Sequence, residues 1–387
     1  MKTTGTYTPH MARGTGITIE SVVAIYAAIT IWLVMILPIF KYLTYGVPLF
    51  CLIAVLATRK LTIPPNAYPY LVLFVAGLAL APLAKLKGVQ DDWLMLTGFG
   101  PFLFGYRYKL SWHVLLAVAC ITTILTVGVS RFHGGSVDFD AAGSHSPLEA
   151  QTSFLFGTLA VWAALERRWG RAVVALLLCI VTLKRIVALG TIVALVLILL
   201  PRKLTDRLLR PIPMIIFNGL IIVLVVLYAR GGLDQFIIHL TGQAPNQFGM
   251  GRQQLYQVPV GALLKEPVQF AFHGLGAGGV YDLLKVDNLF LTGRQNLHND
   301  SLKILVEYGG LAWLAFFTAL YWHKQFEVRL MMLFLNVLLL TDNTLIYPFV
   351  TFIVTLAVTR LTDARADPTP AVVTKSPKTG LNYVRSS

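Results

Sequence analysis

Charged residues are scarce in this sequence. Asp, Glu, Lys and Arg make up 13% of its 387 residues, whereas hydrophobic residues make up 56%. Because a soluble domain carries about 25% charged residues, this composition excludes a soluble enzyme and predicts an all-α polytopic integral membrane protein. Apolar runs recur from residue 17 to residue 359, which leaves no room for a separate soluble domain.

Acidic residues and cysteines are also few. Only 18 Asp and Glu accompany 32 Lys and Arg, so the formal net charge is +14. In a membrane protein, basic residues mostly report orientation, and we expect anionic lipid rather than nucleic acid as the partner of this charge.

The three cysteines, Cys51, Cys120 and Cys179, lie in apolar segments. This placement predicts packed thiols rather than a disulfide or a metal site.

Long apolar segments are abundant, and we interpret them as about twelve transmembrane helices. Several are shorter than the roughly 20 residues that usually cross a bilayer. The first has no small-residue cleavage site after it, so we expect a retained helix and not a removed signal peptide. The predicted spans are 17–40, 45–58, 67–83, 93–106, 111–130, 151–165, 172–183, 186–200, 212–229, 301–322, 330–341 and 345–359.

Charge distribution predicts the orientation of these spans. With both termini in the cytoplasm, 20 of the 32 Lys and Arg residues lie on the cytoplasmic side, as the positive-inside rule requires. The predicted organisation is a cytoplasmic N-terminus at 1–16, helices one to nine within 17–229, a large, partly helical periplasmic loop at 230–300, helices ten to twelve within 301–359, and a disordered cytoplasmic tail at 360–387.

Lys184 and Arg185 lie in the middle of an apolar stretch that runs from residue 172 to residue 200. A single helix of that length would hold both cations near the bilayer centre, at a cost of about 2.5–3.5 kcal/mol each. Two short helices that meet near Lys184 would bring the pair to one membrane face. We therefore predict a helix break there, with both cations at the depth of a lipid diphosphate on the periplasmic side.

The end of the large loop carries a candidate catalytic residue. His298 immediately precedes Asn299 and Asp300, either of which makes a good helix N-cap, and an apolar helix follows. An imidazole at that position is suited to general-base catalysis near neutral pH. The alternative is an interfacial or capping histidine with no catalytic role.

Three arginines, Arg185, Arg252 and Arg294, are predicted on the same membrane face. A guanidinium group forms paired hydrogen bonds with phosphate oxygens, so we interpret these residues as candidates for binding a diphosphate. The alternatives are contact with lipid headgroups and pairing with acidic residues of the loop.

Other motifs are less specific. The glycine-rich run at 274–279 lacks the Lys-Ser/Thr ending of a P-loop and predicts a tight turn that folds the loop back on the membrane. Asp138 and Asp140 have the Asp-x-Asp spacing by which sugar-transfer enzymes hold a divalent metal. We interpret them, like Asp91 and Asp92, as residues of solvated loops rather than metal ligands.

The segment from His298 to Gly310 resembles the signature of the O-antigen polymerase and O-antigen ligase superfamily (Wzy and WaaL). In that signature His-Asn is followed by nine residues and then Gly, which here is Gly309. The superfamily also has an arginine at the outer end of a mid-chain helix, matched by Arg185, and one that opens the helical part of the large loop, matched by Arg252. Lys184 departs from the pattern, because many ligases have a small polar residue there.

The resemblance implies a membrane glycosyltransferase of the GT-C kind in the bacterial inner membrane, with its active site facing the periplasm. The implied donor is an undecaprenyl-diphosphate-linked oligosaccharide, and the acceptor glycan is either lipid-linked or attached to lipid A core. His298 would deprotonate or orient the acceptor hydroxyl, supported by Asn299 and Asp300. Arg185 and Arg252, helped by Lys184, would hold the diphosphate. No metal or other cofactor is implied, and a chain-length regulator is an expected partner.

Three functions remain open at this stage. A polymerase joins lipid-linked repeat units, and we favour it because of the Lys184-Arg185 pair and the short chain. A ligase delivers the finished glycan to lipid A core. A transporter or flippase for lipid-linked sugars would place ionisable residues near the bilayer midplane, between internal repeats, and no repeat is visible in this sequence.

Overall fold

The computed structural model of the chain describes residues 18–132, 152–286 and 296–366, and within these ranges it is helical and has no β-strand. The first half contains α1 (Ile19–Ile36), α2 (Lys41–Thr44), α3 (Gly46–Thr58), α4 (Tyr68–Ala79), α5 (Leu86–Phe99), α6 (Trp112–Phe132), α7 (Ser153–Leu165), α8 (Trp169–Val181), α9 (Arg185–Leu199) and α10 (Arg202–Leu208). The second half contains α11 (Pro211–Ala229), α12 (Asp234–Thr241), α13 (Pro245–Phe248), α14 (Arg252–Lys265), α15 (Pro267–Phe272), α16 (Gly279–Val286), α17 (Asp300–Tyr321), α18 (Phe326–Leu339) and α19 (Pro348–Ala366).

Several of these helices can cross a membrane. Five segments are long and apolar enough, and they lie in α1, in α2 with α3, in α6, in α11 and in α17. On α11, Ile212, Ile216, Leu220 and Val223 are all more than half exposed, and their spacing places them on one helix face. Such an exposed apolar stripe is what a lipid-facing helix requires. The described part of the chain therefore has the helical architecture of a multi-pass membrane protein; the number of spans and their orientation remain predictions.

The most buried helices lie at the centre. Every residue of α18 except Glu327 is buried, as is every residue of α7 from Ser153 to Ala164. In α19 the run from 348 to 358 is also buried. These helices form the core, and the helices around them keep an exposed apolar face.

The predicted span at 93–106 was wrong. α5 begins earlier, at Leu86, and ends at Phe99, where a short 3₁₀ turn (Gly100–Phe102) replaces it. Pro101 cannot continue the backbone hydrogen-bond pattern of the helix, and Gly105 has a φ of +74°, which an α-helix does not allow. The chain therefore leaves the helix inside the segment that hydropathy had assigned to a span.

The predicted start of the C-terminal tail was also wrong. α19 continues as far as Ala366, whereas the sequence placed disorder from residue 360 onward. Residues 360–366 contain no proline or glycine to interrupt a helix, and the first proline is Pro368. Residues 367–387 and the N-terminus at 1–17 lie outside the described part of the chain.

The segment predicted as the large loop is partly helical where it is described, with α12 to α16 between residues 234 and 286. Its glycine-rich run forms the predicted turn and packs against α17 at a break in that helix. At the break, Gly309 has φ +84° and ψ 171°, which removes the helical donors for the carbonyls of Val306 and Glu307. The backbone N–H groups of Leu275 and Gly276 donate to these carbonyls at 2.9 and 2.8 Å.

Gly309 is required by this packing. A Cβ atom there would lie 2.7 Å from the backbone of Phe272 and His273, and the positive φ would add strain for any L-residue. We expect Gly309→Ala to lower the free energy of unfolding by about 2 kcal/mol or more, measured by thermal unfolding in detergent. Gly219→Ala in α11 is the matched control, because no atom lies within 4 Å of the added methyl group. An equal loss in both variants would contradict this account of Gly309.

Candidate active site

The predicted helix break at Lys184 is confirmed. α8 ends at Val181 and α9 begins at Arg185. Between them Leu183 adopts a left-handed backbone conformation with φ +54°, which ends the helical path at a cost of about 1–3 kcal/mol. Lys184 occupies the N-cap position of α9 and Arg185 is its first residue. Both cations therefore lie at a helix junction and not inside a continuous apolar helix.

A second turn brings Arg252 toward this junction. Met250 and Gly251 both have positive φ, at +53° and +80°, and Arg252 then begins α14. Gly249 lies against the Tyr228 hydroxyl so closely that a Cβ atom would be 2.0 Å from the oxygen. That close approach excludes any larger residue and fixes where α14 starts.

Lys184, Arg185 and Arg252 line one cleft of about 330 Å³. The cleft also contains the carboxylate of Asp342. Its remaining walls are mainly apolar and are formed by Leu183, Ile186, Leu189, Phe248, Gly249, Met250 and Thr341. Three cations and one carboxylate give the described lining a net positive charge, so the cleft is suited to an anionic group attached to an apolar chain.

Asp342 joins the cations to the candidate catalytic histidine. Its Oδ2 atom lies 3.0 Å from Lys184 Nζ, and its Oδ1 atom lies 3.9 Å from His298 Nδ1. Burial by itself would raise the pKa of Asp342, but the charge and hydrogen bond of Lys184, with the hydrogen bond from the Asn343 N–H, outweigh burial and hold the pKa below its usual range. Asp342 is therefore an anion at neutral pH.

His298 is held by contacts along its backbone and ring. Its φ is +53°, its carbonyl accepts a hydrogen bond from the Tyr256 hydroxyl at 3.2 Å, and its N–H donates to Asn343 Oδ1 at 3.0 Å. The side chain itself is 45% exposed. The imidazole is therefore fixed at its base and accessible at its outer edge.

The Asn343 side chain assigns the resting tautomer of His298. Since Asn343 Oδ1 accepts from the His298 backbone, its amide Nδ2 faces His298 Nδ1 at 3.1 Å and donates to it. A neutral ring in this arrangement carries its proton on Nε2. For Nε2 to accept a proton, Nδ1 must instead carry one, and Asp342 Oδ1 is the carboxylate positioned to accept that hydrogen bond.

Asn299 and Asp300, which follow His298 in the chain, make hydrogen bonds that fix the start of α17. Asn299 is the N-cap of α17, and its side chain accepts from the Leu302 N–H at 2.8 Å, as the sequence predicted. Asp300 is buried, and its Oδ2 atom accepts from Thr344 Oγ1 at 3.0 Å and from the Leu345 N–H at 2.9 Å. These bonds tie the start of α17 to the 341–347 connection that carries Asp342 and Asn343.

A buried charge network anchors α17 to α5. Lys303 Nζ lies 2.7 Å from Asp91 Oδ2 and 3.9 Å from Glu307 Oε2, and Lys87 Nζ lies 2.9 Å from Asp91 Oδ1. One turn further along α17, the Tyr308 hydroxyl donates to Asp92. The prediction that Asp91 and Asp92 belong to a solvated loop was wrong, because α5 carries them into the interior, where basic and hydroxyl partners on α17 satisfy them.

Sequence reasoning missed Asp342, Asn343 and Tyr256. One usable signal was the polar run from Thr341 to Thr344 between two predicted spans, since the predicted topology already placed it on the same membrane face as His298. Tyr256 gave no signal, because its role depends on how α14 packs against the His298 backbone.

Three of the candidate residues from the sequence lie outside the described part of the chain. They are Arg294, Asp138 and Asp140. Within the described ranges, no group of three or more His, Cys, Asp or Glu side chains is arranged to hold a metal ion.

Comparison with known proteins bears on this geometry. Residues 170–317 match a family described as O-antigen ligase. The match supports the O-antigen polymerase and ligase superfamily, which the His298–Gly309 spacing had indicated. The superfamily segment contains Lys184, Arg185, Arg252 and His298, whereas Asp342 lies beyond its end. No curated protein and no solved structure matches the chain.

The ion pair between Asp91 and Lys303 leads to a prediction about stability. Asp91→Asn removes one partner of a buried ion pair, and we expect a loss of about 3 kcal/mol in the free energy of unfolding, measured by thermal unfolding in detergent. Asp282→Asn is the control, since its ion pair with Lys85 at 3.6 Å is about half exposed and contributes about 1 kcal/mol or less. A loss in Asp91→Asn no larger than in the control would mean that the network does not anchor α17.

Proposed function

We propose that the chain is a metal-independent, inverting glycosyltransferase that acts on the periplasmic face of the bacterial inner membrane. Its donor is an undecaprenyl-diphosphate-linked oligosaccharide, and its acceptor is a hydroxyl of a second lipid-linked repeat unit, which makes it a polymerase. One observation carries the proposal: a single cleft contains Lys184, Arg185 and Arg252, and Asp342 connects that cleft to His298.

The charge and shape of the cleft support a lipid diphosphate. Guanidinium groups on two separate helices, α9 and α14, can each make forked hydrogen bonds to phosphate oxygens. Leu183, Ile186 and Leu189 supply an apolar wall beside them, which suits the polyprenyl chain. Asp342 holds Lys184 and limits the positive charge, so that the diphosphate is bound but can also be released.

The proposed reaction is a single displacement. The acceptor hydroxyl oxygen forms a bond to the anomeric carbon of the donor glycan on the face opposite the diphosphate. The bond from that carbon to the phosphate oxygen breaks, and its electron pair leaves with the undecaprenyl diphosphate. Arg185 and Arg252 stabilise the charge that develops on this leaving group.

His298 takes the proton of the acceptor hydroxyl. It does so through Nε2 once Nδ1–H donates to Asp342, and the carboxylate then stabilises the imidazolium. This requires the 3.9 Å separation between Nδ1 and Oδ1 to shorten, which fits the observation that catalytic hydrogen bonds are often long before substrate binds. Asn343 holds the opposite tautomer in the resting site.

A ligase is the second candidate, because residues 170–317 match an O-antigen ligase family. It would use the same donor cleft and the same histidine, and would differ in taking lipid A core as its acceptor. The departure at Lys184, which pairs with Asp342, is the feature that favours the polymerase.

The deciding assay uses the purified full-length protein and an undecaprenyl-diphosphate-linked oligosaccharide, alone and with lipid A core. We expect the lone donor to give a ladder of products on a gel, and EDTA to leave the ladder unchanged. Product that forms only with core would identify a ligase. Absence of transfer to either acceptor would favour a transporter for lipid-linked sugars, and loss of activity in EDTA would overturn the metal-independent mechanism.

His298→Ala should lower kcat by about 10²- to 10⁴-fold, because the hydroxyl proton would have no acceptor. Asp342→Asn should lower kcat in the same direction, since the imidazolium would lose its carboxylate. His239→Ala, an exposed histidine on α12 in the same large loop, is the control and should retain activity. Wild-type turnover by His298→Ala would remove the base from the mechanism.

Arg185→Ala and Arg252→Ala should each weaken donor binding by about 10- to 100-fold, because each loses charge-assisted hydrogen bonds to the diphosphate. Lys at either position should restore only part of the affinity, since an ammonium cannot make the forked contact. The measurement is donor affinity by titration, with Arg230→Ala outside the cleft as the control. Equal affinities for the Arg, Lys and Ala forms would contradict diphosphate binding at these residues.

A further inference from the structure

A second, larger cleft of about 670 Å³ lies at the far end of α8 and α19 from the candidate active site. α8 has Arg171 near its first residue and is followed by Lys184 after its last, so at 1.5 Å per residue the two clefts are about 20 Å apart along that helix. The second cleft is formed by the 107–111 segment, the start of α6, the α7–α8 turn and the end of α19. Its basic residues are Arg107, Lys109, Arg168, Arg171 and Arg360.

Each of the two carboxylates that line this cleft forms an ion pair with an arginine. Asp363 lies 3.5 Å from Arg107, and Glu166 lies 3.3 Å from Arg168. Among the described residues, no carboxylate lies within 4.0 Å of the remaining three cations, Lys109, Arg171 and Arg360. The cleft therefore carries an excess of positive charge at a membrane face, which attracts an anion.

Aromatic residues make the inner wall of the cleft rigid. Trp112 is 5% exposed, and its indole N–H donates to the Leu159 carbonyl at 3.1 Å. The Arg171 guanidinium lies over the Trp112 ring, 5.6 Å from its centroid. Tyr108, also buried, donates to the Ala24 carbonyl at 3.1 Å. Trp and Tyr at this position are typical of the membrane–water interface, where lipid headgroups lie.

An apolar groove of about 280 Å³ adjoins the basic cleft at Leu110, which lines both. Its walls come from α1, α6 and α19, with Leu155 of α7. Along α19 the lining changes from Arg360 and Leu356 at the cleft to Phe352 and Phe349 in the groove. Along α6 it changes from His113 to apolar residues. A charged cleft joined to an apolar groove matches a phospholipid, whose phosphate and acyl chain are joined in the same order.

We propose that the basic cleft and the apolar groove together bind one anionic phospholipid, with its phosphate among Lys109, Arg171 and Arg360 and an acyl chain between α1, α6 and α19. The occupant is a membrane lipid rather than a soluble phosphate compound, because the groove accounts for the acyl chain. The site lies on the membrane face opposite the candidate active site and is independent of the proposed reaction.

The test compares phosphatidylglycerol with phosphatidylcholine by native mass spectrometry of the purified full-length protein. We expect the wild type to retain phosphatidylglycerol preferentially. In Arg171→Gln/Arg360→Gln, binding of this lipid should weaken by about 30-fold, on the basis of about fivefold for each basic residue at a membrane surface. Lys203→Gln/Arg207→Gln removes the same charge from two exposed residues of α10 and should retain the preference.

Three results would overturn the proposal. They are equal retention of the two lipids by the wild type, equal losses in the cleft variant and the α10 variant, and displacement of phosphatidylglycerol by millimolar sn-glycerol 3-phosphate, which would identify a site for soluble phosphates. If the double variant elutes as an aggregate in size-exclusion chromatography, Lys109→Gln in the same measurement takes its place. A weakened preference in Lys109→Gln would support the lipid site, and an unchanged one would overturn it.

Discussion

The cost of removing a cation from water governs the architecture around the candidate active site. Lys184 and Arg185 lie inside an apolar stretch, and the chain avoids that cost by ending α8 at Val181 and starting α9 at Arg185. The break places both cations at a helix junction, and Asp342 compensates Lys184 at 3.0 Å. Without the break, neither the cleft nor the approach of Arg252 would exist, because α9 would continue α8 through the same volume.

The same constraint is met differently inside the helix bundle. Asp91 and Glu307 are buried, and Lys303 lies between them across α5 and α17, at 2.7 Å from Asp91 and 3.9 Å from Glu307. At the break of α17, the carbonyl groups that lose their helical partners accept hydrogen bonds from N–H groups of the glycine-rich turn instead. Both arrangements fix α17, whose first turn carries Asn299 and Asp300 beside His298. The catalytic geometry therefore rests on contacts two to three turns away from the histidine.

The molecule presents basic clefts at both ends of α8 and α19, and they differ in a way that suits different ligands. The cleft at Lys184 has a histidine and a carboxylate beside its cations, so it can hold an anion and move a proton. The cleft at Arg171 has a guanidinium over the Trp112 ring and an adjoining apolar groove, and these features suit a ligand that stays bound.

The sequence alone determined the features that depend on local patterns. Composition indicated a helical membrane protein, the Lys184-Arg185 pair predicted the helix break, Asn299 or Asp300 was expected to cap α17, and the His298–Gly309 spacing pointed to the superfamily that the match at residues 170–317 supports. Each of these rests on residues close together in the chain. The span at 93–106 failed because hydropathy does not register how a Gly-Pro pair ends a helix.

Tertiary structure alone decided which distant side chains meet. Asp342 and Lys184 are 158 positions apart, and Asp91 and Lys303 are 212 apart; no periodicity or spacing connects such pairs. Their meeting depends on how α5, α17 and α18 pack, and packing is set by the fit of many apolar side chains at once. The sequence could therefore supply the cations and the histidine of the site, but the carboxylate that links them appeared only in the folded chain.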